Sequence, residues 1–222
     1  MNQAELLRLL AERGQKKKGT NSLTSLFEQR LATNLSIIKT QFFSLYPESE
    51  HKAFFYTLLD KIELLFKARP TELQKQDIER LESGNWYQSE QMVGMQMYVV
   101  RFNKDINGLK DKLPYFDDLG VNFLHLMPIT TRPAGENDGG YAVNSYHEID
   151  SKYGTKNDFT TFTKKAREHN IFLMLDFVVN HTSDEFEWAQ KAKEGSLHHQ
   201  NYYYTYSDRH IPDEFEKTLP EI

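Results

Sequence analysis

One segment limits the possible folds of this chain more than any other. Residues 171–179 read Ile-Phe-Leu-Met-Leu-Asp-Phe-Val-Val, so Asp176 is the single polar residue in the run. A short run that is apolar at almost every position is typical of a strand buried on both faces, which is how strands lie in a parallel sheet. The run therefore predicts a buried strand and, with it, an α/β fold.

The residues before this strand alternate between strand and helix patterns. Residues 95–102 and 121–127 have the composition of strands, and Pro128 closes the second of them. The helical positions are Leu109, Leu113, Phe116 and Leu119 in a first helix and Phe159, Phe162 and Ala166 in a second. Gly120 is placed to end the first helix, in which Pro114 predicts a late start or a kink. No glycine-rich phosphate-binding turn follows a predicted strand, so this βαβ progression favours a barrel over a nucleotide-binding sheet.

The first part of the chain has a different pattern. Apolar residues recur every three or four positions between Ser22 and Ser83, and Pro47 and Pro70 divide this stretch into three predicted helices. The third of these helices is predicted to span Thr71–Glu82. We expect a small helical module that carries no chemistry of its own.

Composition excludes several classes of function. The 222 residues include 27 Lys and Arg against 32 Asp and Glu, a formal charge of −5, so we expect neither nucleic acid nor a membrane as a partner. The chain has no cysteine, which excludes disulfides and thiol nucleophiles, and we expect no metal and no cofactor. No apolar run approaches the roughly 20 residues that span a bilayer. Because Met1–Arg13 also lacks the features of a secretory signal, the sequence predicts a cytoplasmic protein.

Three motifs of the second half occur in the order and at the spacing of one enzyme family. They are residues 119–128 (Leu-Gly-Val-Asn-Phe-Leu-His-Leu-Met-Pro), residues 138–141 (Asp-Gly-Gly-Tyr) and residues 176–183 (Asp-Phe-Val-Val-Asn-His-Thr-Ser). Through them the chain resembles the start of the (β/α)8 barrel of the α-amylase family, glycoside hydrolase family 13. Within that family it looks most like amylosucrases, and residues 208–219 also resemble the tract where an inserted domain begins in those enzymes.

The resemblance implies an organisation into three parts. Residues 1–90 would form the helical N-terminal module, and residues 91–182 would supply the first three βα units of an incomplete (β/α)8 TIM barrel. Residues 183–222 would begin the inserted B-type domain. The expected fold class is therefore α/β, with helices preceding the parallel strands.

The resemblance also implies roles for four residues. Asp176 would organise the site by pairing with an arginine of the next strand, and His181 would donate a hydrogen bond to the innermost glucosyl unit. Tyr141 would offer its ring to the C–H-rich face of glucose, and Asp138 would close the bottom of the pocket. Each residue also has a plainer interpretation: an ion pair in the core for Asp176, a structural role for His181 and a turn for residues 138–141.

The activity that the resemblance implies is a retaining transfer of glucose from sucrose to an α-glucan acceptor, so sucrose and the glucan are the expected partners. Retaining enzymes need two carboxyl groups, a nucleophile and an acid/base. In the family these groups lie on later strands, beyond Ile222, so no catalytic residue is predicted in this chain and we expect it to be inactive. Two alternatives stay open: a sucrose hydrolase or other α-glucosidase or α-amylase of the family, and a non-catalytic sugar-binding protein.

Overall fold

The computed structural model describes residues 22–218, with side chains from Leu26 onward. The expectations for Met1–Arg13 and for residues 219–222 lie outside this part of the chain. The protein divides into two compact units, with the boundary between Trp86 and Tyr87. Each unit is described by itself.

The described part of the first unit, residues 22–86, is mainly helical. Helix α1 spans Ser22–Leu45, α2 spans Glu48–Ala68 and α3 spans Thr71–Ser83. Helices α2 and α3 begin directly after Pro47 and Pro70, because proline suits the start of a helix but not its interior. The prediction of three helices divided by two prolines is confirmed. The buried centre of this unit consists of Leu35, Phe55 and Leu59.

The second unit contains a parallel sheet. Its strands within residues 87–218 are β1 Gly94–Met97, β2 Phe123–Leu126, β3 Thr130–Thr131, β4 Ser145–Ile149 and β5 Phe172–Leu175. Strands β1, β2 and β5 form one sheet with β2 in the middle, and both of its pairings are parallel. Strands β3 and β4 form a separate antiparallel pair. In the parallel sheet, Gln96, His125 and Met174 lie side by side.

The α-helices of the second unit, within residues 87–218, are α4 Val99–Asn103, α5 Ile106–Lys110, α6 Leu113–Asp118, α7 Lys156–Glu168, α8 Glu187–Lys193, α9 Leu197–Gln200 and α10 His210–Glu216. Those that lie between the parallel strands make the crossover connections that a parallel sheet requires. Helices α4 to α6 lie between β1 and β2, and α7 lies between β4 and β5. The predicted break at Pro114 is confirmed, because α6 begins one residue earlier and holds the proline in its first turn.

The helices cover one face of the sheet. Leu124 and Leu126 of β2 are fully buried on that face. They belong to a core that also contains Ile106, Leu109, Leu113, Phe116, Phe162 and Ala166. Side chains alternate along a strand, so His125 lies on the opposite face. That face therefore carries polar groups next to its apolar residues.

The predicted strand over residues 95–102 is wrong after Met97. The chain leaves the sheet there and forms α4, in which Val99 is 1% exposed. Asp105 then caps α5, because its carboxylate accepts a hydrogen bond from the backbone N–H of Gly108 at 2.7 Å. The valine-rich composition favours a strand, but packing against the core overrides this weak preference.

The predicted strand over residues 171–179 is shorter than expected and is not buried on both faces. Strand β5 ends at Leu175, since its neighbour β2 is followed closely by Pro128, which has no N–H to extend the ladder. Phe177 and Val179 are 76% and 71% exposed. Helices cover one face of this sheet, and within residues 87–218 no second layer covers the other.

The N-terminus of α7 carries a capping box. Thr155 Oγ1 accepts a hydrogen bond from the backbone N–H of Asp158 at 3.1 Å, and Asp158 accepts one from the backbone N–H of Thr155 at 2.8 Å. Thr155→Ala is therefore expected to lower the free energy of unfolding by about 1 kcal/mol, measured by urea denaturation. Thr160→Ala, at an exposed position of the same helix, is the control and should change it by less than about 0.5 kcal/mol. Equal losses in the two variants would contradict the capping role.

Candidate functional site

The carboxyl ends of the three parallel strands meet at one edge of the sheet. Tyr98, Met127 and Asp176 are the first residues after β1, β2 and β5. In α/β sheets and barrels this edge is where ligands bind, because the loops that follow the strands gather there. The predicted site residue Asp176 thus lies at the expected place.

The carboxylate of Asp176 is held from two sides. Its Oδ1 lies 2.9 Å from Nε2 of His125, and its Oδ2 accepts a hydrogen bond from the hydroxyl of Tyr141 at 2.9 Å. The side chains of His125 and Asp176 are only 17% and 21% exposed. An ionised carboxylate can only accept hydrogen bonds, so Nε2 of His125 carries the proton of this contact. The two donors fix the orientation of a partly desolvated charge.

The hydroxyl of Tyr141 has a raised pKa in this environment. Removal from water and, next, the hydrogen bond to Asp176 raise the pKa of its hydroxyl to about 12. The hydroxyl also lies 3.8 Å from Sδ of Met127, which accepts a hydrogen bond from the side-chain amide of Gln96 at 2.9 Å. At neutral pH Tyr141 is therefore a protonated donor whose hydrogen is directed to Asp176.

The Asp-Gly-Gly turn ahead of this tyrosine has an unusual backbone. Asp138, Gly139 and Gly140 have φ angles of 46°, 63° and 106°. Glycine adopts positive φ without strain, and aspartate tolerates it better than most residues. A Cβ on Gly139 would lie 2.9 Å from the hydroxyl oxygen of Tyr98, and one on Gly140 would lie 2.4 Å from Nη1 of Arg132. The backbone angles therefore favour glycine at both positions, and each glycine passes close to the end of a neighbouring side chain.

The structure does not bring Asp138 and His181 into the hydrogen bonds around Asp176. Both side chains are exposed, and within residues 22–218 no hydrogen bond joins either of them to Asp176 or Tyr141. Nδ1 of His181 lies 3.5 Å from the side-chain amide nitrogen of Asn180. The roles of Asp138 and His181 as sugar ligands stay predictions.

The segment that carries His181 is fixed to the residues that follow the Asp-Gly-Gly turn. The hydroxyl of Tyr146 in β4 donates a hydrogen bond to the carbonyl oxygen of Val178 at 2.6 Å. The backbone N–H of Ser183 donates to the carbonyl oxygen of Val143 at 2.9 Å. Burial raises the pKa of Tyr146, so its hydroxyl stays a donor. The loops after β2 and β5 are thus held together.

No role was predicted for His125, although the sequence contained a signal for it. His125 is a polar residue between the buried Leu124 and Leu126 of a strand. The register pairs it with Met174, so His125 and the residue two positions after Met174, Asp176, share a face of the sheet. The pairing of Asp176 with an arginine of the next strand, which the family resemblance implies, stays a prediction, and within the described residues His125 is a partner of this carboxylate.

The histidines and carboxylates of the described residues are not grouped as metal ligands. Among residues 22–218 there is no group of three His, Asp or Glu side chains that could hold a metal ion. His198 and His199 instead contact the hydroxyl groups of Tyr202 and Ser196 at 3.0 and 2.8 Å. Of the helices that the structure describes, none is long and apolar enough to cross a bilayer.

Comparison with protein families identifies the fold to which this site belongs. Residues 72–221 match the alpha-amylase model, whose description is the catalytic domain of alpha amylase. The matched range includes β1, β2, β5 and Asp176. The chain belongs to the α-amylase family. Its sheet is accordingly part of that family's (β/α)8 barrel, and the predicted α/β fold, with helices preceding the barrel strands, is confirmed.

Individual members of the α-amylase family are similar to this chain over part of their length. Maltase 1 of Drosophila virilis is 36% identical over 143 residues, which cover 61% of this chain and 22% of the maltase. Alpha-amylase 3 of Dictyoglomus thermophilum is 42% identical over 100 residues, 45% of this chain and 19% of the amylase. A mutant isomaltulose synthase from Erwinia rhapontici NX5, solved with its natural substrate sucrose, is 30% identical with a TM-score of 0.47, covering 51% of this chain and 22% of the synthase. The chain spans about a fifth of the length of the curated relatives it matches.

Proposed function

We propose that this chain forms part of the glucose-binding site of an enzyme that processes α-glucosides with retention of configuration. The main support for this proposal is the position of the Asp176 carboxylate. It is held by His125 and Tyr141 at the edge of a barrel sheet where substrates bind in such folds. A glucosyl unit needs polar partners for its hydroxyl groups and an aromatic ring for its C–H face. Tyr141, Asp138 and His181 offer these groups, and Asp176 fixes the hydroxyl of Tyr141.

Within the family, an α-glucosidase-type activity has more support than the amylosucrase activity expected from the sequence motifs. The relatives that the chain resembles include proteins named maltase, alpha-amylase, alpha-glucosidase and trehalose-6-phosphate hydrolase, and also a 4-alpha-glucanotransferase. We therefore propose a terminal α-glucosyl unit as the group that the site binds, with water or a sugar hydroxyl as the acceptor.

Sucrose is the second candidate donor. It is also an α-glucoside, and residues 138–141 and 208–219 are the tracts that resemble amylosucrases. Transfer from sucrose to an α-glucan would use the same glucose site. The two candidates therefore differ in the groups that bind the remainder of the substrate, not in the residues around Asp176.

Binding of simple glucosides by the chain tests the proposal. The tyrosines are labelled with carbon-13 at Cζ, and the Tyr141 resonance is assigned with Tyr141→Phe. Titration with methyl α-D-glucoside is expected to shift this resonance with a dissociation constant in the millimolar range, whereas methyl β-D-glucoside should leave it in place. His181→Ala should weaken the binding about tenfold, as expected for loss of a hydrogen bond. His147→Ala, at another exposed histidine, is the control and should have no effect.

Two results would count against this function. A Tyr141 resonance that does not respond, or one that responds equally to both anomers, would contradict an α-glucoside site. Micromolar binding of maltose or sucrose would instead favour a non-catalytic sugar-binding protein. We expect neither sugar to be hydrolysed by this chain, because the resemblance gives Asp138 and Asp176 supporting roles and not those of nucleophile and acid/base.

A further inference from the structure

Arg132 is a cation next to the candidate site whose side chain is largely removed from water. It directly follows β3, and its side chain is 9% exposed. Its Nε lies 3.6 Å from Oδ2 of Asp150, and its guanidinium carbon lies 5.4 Å from the ring centre of Tyr153. Tyr153 is itself 1% exposed. Because a buried charge is costly without partners, Asp150 and Tyr153 confine the guanidinium group to this position.

The same guanidinium group contacts the Asp-Gly-Gly turn. Its Nη1 lies 3.4 Å from the carbonyl oxygen of Gly139, and a Cβ on Gly140 would approach Nη1 to 2.4 Å. The turn thus passes close to the end of the arginine side chain, which would have to shift if Gly140 carried a Cβ. Tyr141 is the next residue, and its hydroxyl donates to Asp176 at 2.9 Å. A continuous set of contacts therefore leads from Arg132 through the turn to Asp176.

Lys152 offers a comparison within the same chain. Its Nζ also lies 3.6 Å from Oδ2 of Asp150, and it lies 5.9 Å from the ring centre of Tyr153. The lysine side chain is 48% exposed. Within residues 22–218, no hydrogen bond joins it to the Asp-Gly-Gly turn. The two cations share two partners, but only Arg132 contacts the turn.

We propose that Arg132 is a positioning residue of the glucose site, which supports the Asp-Gly-Gly turn and thereby sets the position of Tyr141. This inference rests on the proposed function, in which Tyr141 is a sugar ligand. Arg132 acts through the turn and not on the sugar. A planar guanidinium group can face Asp150 with one nitrogen and the turn with another, whereas the single ammonium group of lysine cannot.

Amide hydrogen exchange measured on the chain tests this role. Three backbone N–H groups donate hydrogen bonds within the turn, those of Gly140, Tyr141 and Ala142. Arg132→Met is expected to speed their exchange by about tenfold or more, because the turn opens locally without its support. The N–H of Met127, which bonds to a carbonyl oxygen at the end of β1, should exchange as in the wild type. Lys152→Met is the matched control and should leave all four amides unchanged.

Arg132→Lys keeps the charge and serves as the test if Arg132→Met does not fold. It should also speed exchange in the turn, although less than the methionine variant. Unchanged exchange in the turn would overturn the proposal, and so would an equal increase at Met127, since that would indicate general destabilisation. The titration with methyl α-D-glucoside separates the two hypotheses. If the turn responds to the Arg132 variants but the wild type never responds to the glucoside, the support of the turn stands and the proposed function fails.

Discussion

Asp176→Asn is expected to weaken the binding of methyl α-D-glucoside by about tenfold or more. The carboxylate accepts one hydrogen bond from His125 and one from Tyr141, each at 2.9 Å. An amide of the same shape accepts through its oxygen alone, so one of the two donors would face an NH2 group. The mispaired donor is partly removed from water, which makes the loss unfavourable. Titration with the glucoside, followed at the Tyr141 resonance, measures the effect.

The same substitution should change the titration of Tyr141. Its pKa should fall from about 12 toward the ordinary value of 10.0 but not reach it, because removal from water is the larger cause of the shift and persists. Between these two values the unfolded wild-type chain loses the phenol proton while the folded chain keeps it. The free energy of unfolding of the wild type therefore decreases as the pH rises above 10.0, and Asp176→Asn should reduce this decrease.

The chain offers a matched control for Asp176→Asn. Asp117 in α6 pairs with Nδ1 of His169 at the end of α7, which is a second aspartate–histidine contact, formed between helices and away from the strand ends. Asp117→Asn should leave both the glucoside titration and the pKa of Tyr141 unchanged. Equal effects of the two substitutions would show that Asp176 has no special role in the site.

Phe162→Ala is expected to lower the free energy of unfolding by about 3–5 kcal/mol, as large core truncations do. Phe162 lies in α7, is 0% exposed and belongs to the core that also holds Leu124 and Leu126 of β2. Domains of this size are stable by only about 5–15 kcal/mol, so the loss is a large share of the total. Urea denaturation followed by circular dichroism measures it.

The residue next to Phe162 provides the comparison for this prediction. Thr161 is exposed on the same helix, and Thr161→Ala should change the free energy of unfolding by less than about 0.5 kcal/mol. If both variants lost the same amount, the contacts between α7 and the sheet would not be the source of stability that the buried phenylalanine indicates.

Much of the fold follows from local sequence signals. Pro47 and Pro70 set the starts of α2 and α3, and the Asp-Gly-Gly sequence matches a turn that needs positive φ. The contact between Tyr141 and Asp176 joins two of the four predicted site residues, which the family motifs brought to attention separately. The helix starts and the turn depend on short segments whose chemistry allows few conformations, and such segments are the most predictable, whereas the contact itself joins residues 35 positions apart.

Other features depend on contacts between distant segments. Helix α4 begins at Val99 because the side chain of Val99 packs into the core, whereas composition alone predicts a strand there. His125 becomes a partner of Asp176 only once the register of β2 and β5 is known. Arg132 stands in a polar loop, and its burial follows from Asp150 and Tyr153, which lie later in the chain. Each of these features therefore needs the three-dimensional arrangement.

The backbone of residues 138–140 determines where this loop can accept substitutions. Its left-handed angles, together with the side chains that pass close to both glycines, leave few acceptable substitutions at these two positions. Residues 134–136, a few positions earlier, are all exposed, and a Cβ on Gly135 would meet no atom within 4 Å. Substitutions are therefore expected to be tolerated at residues 134–136 and to disturb the turn at residues 138–140.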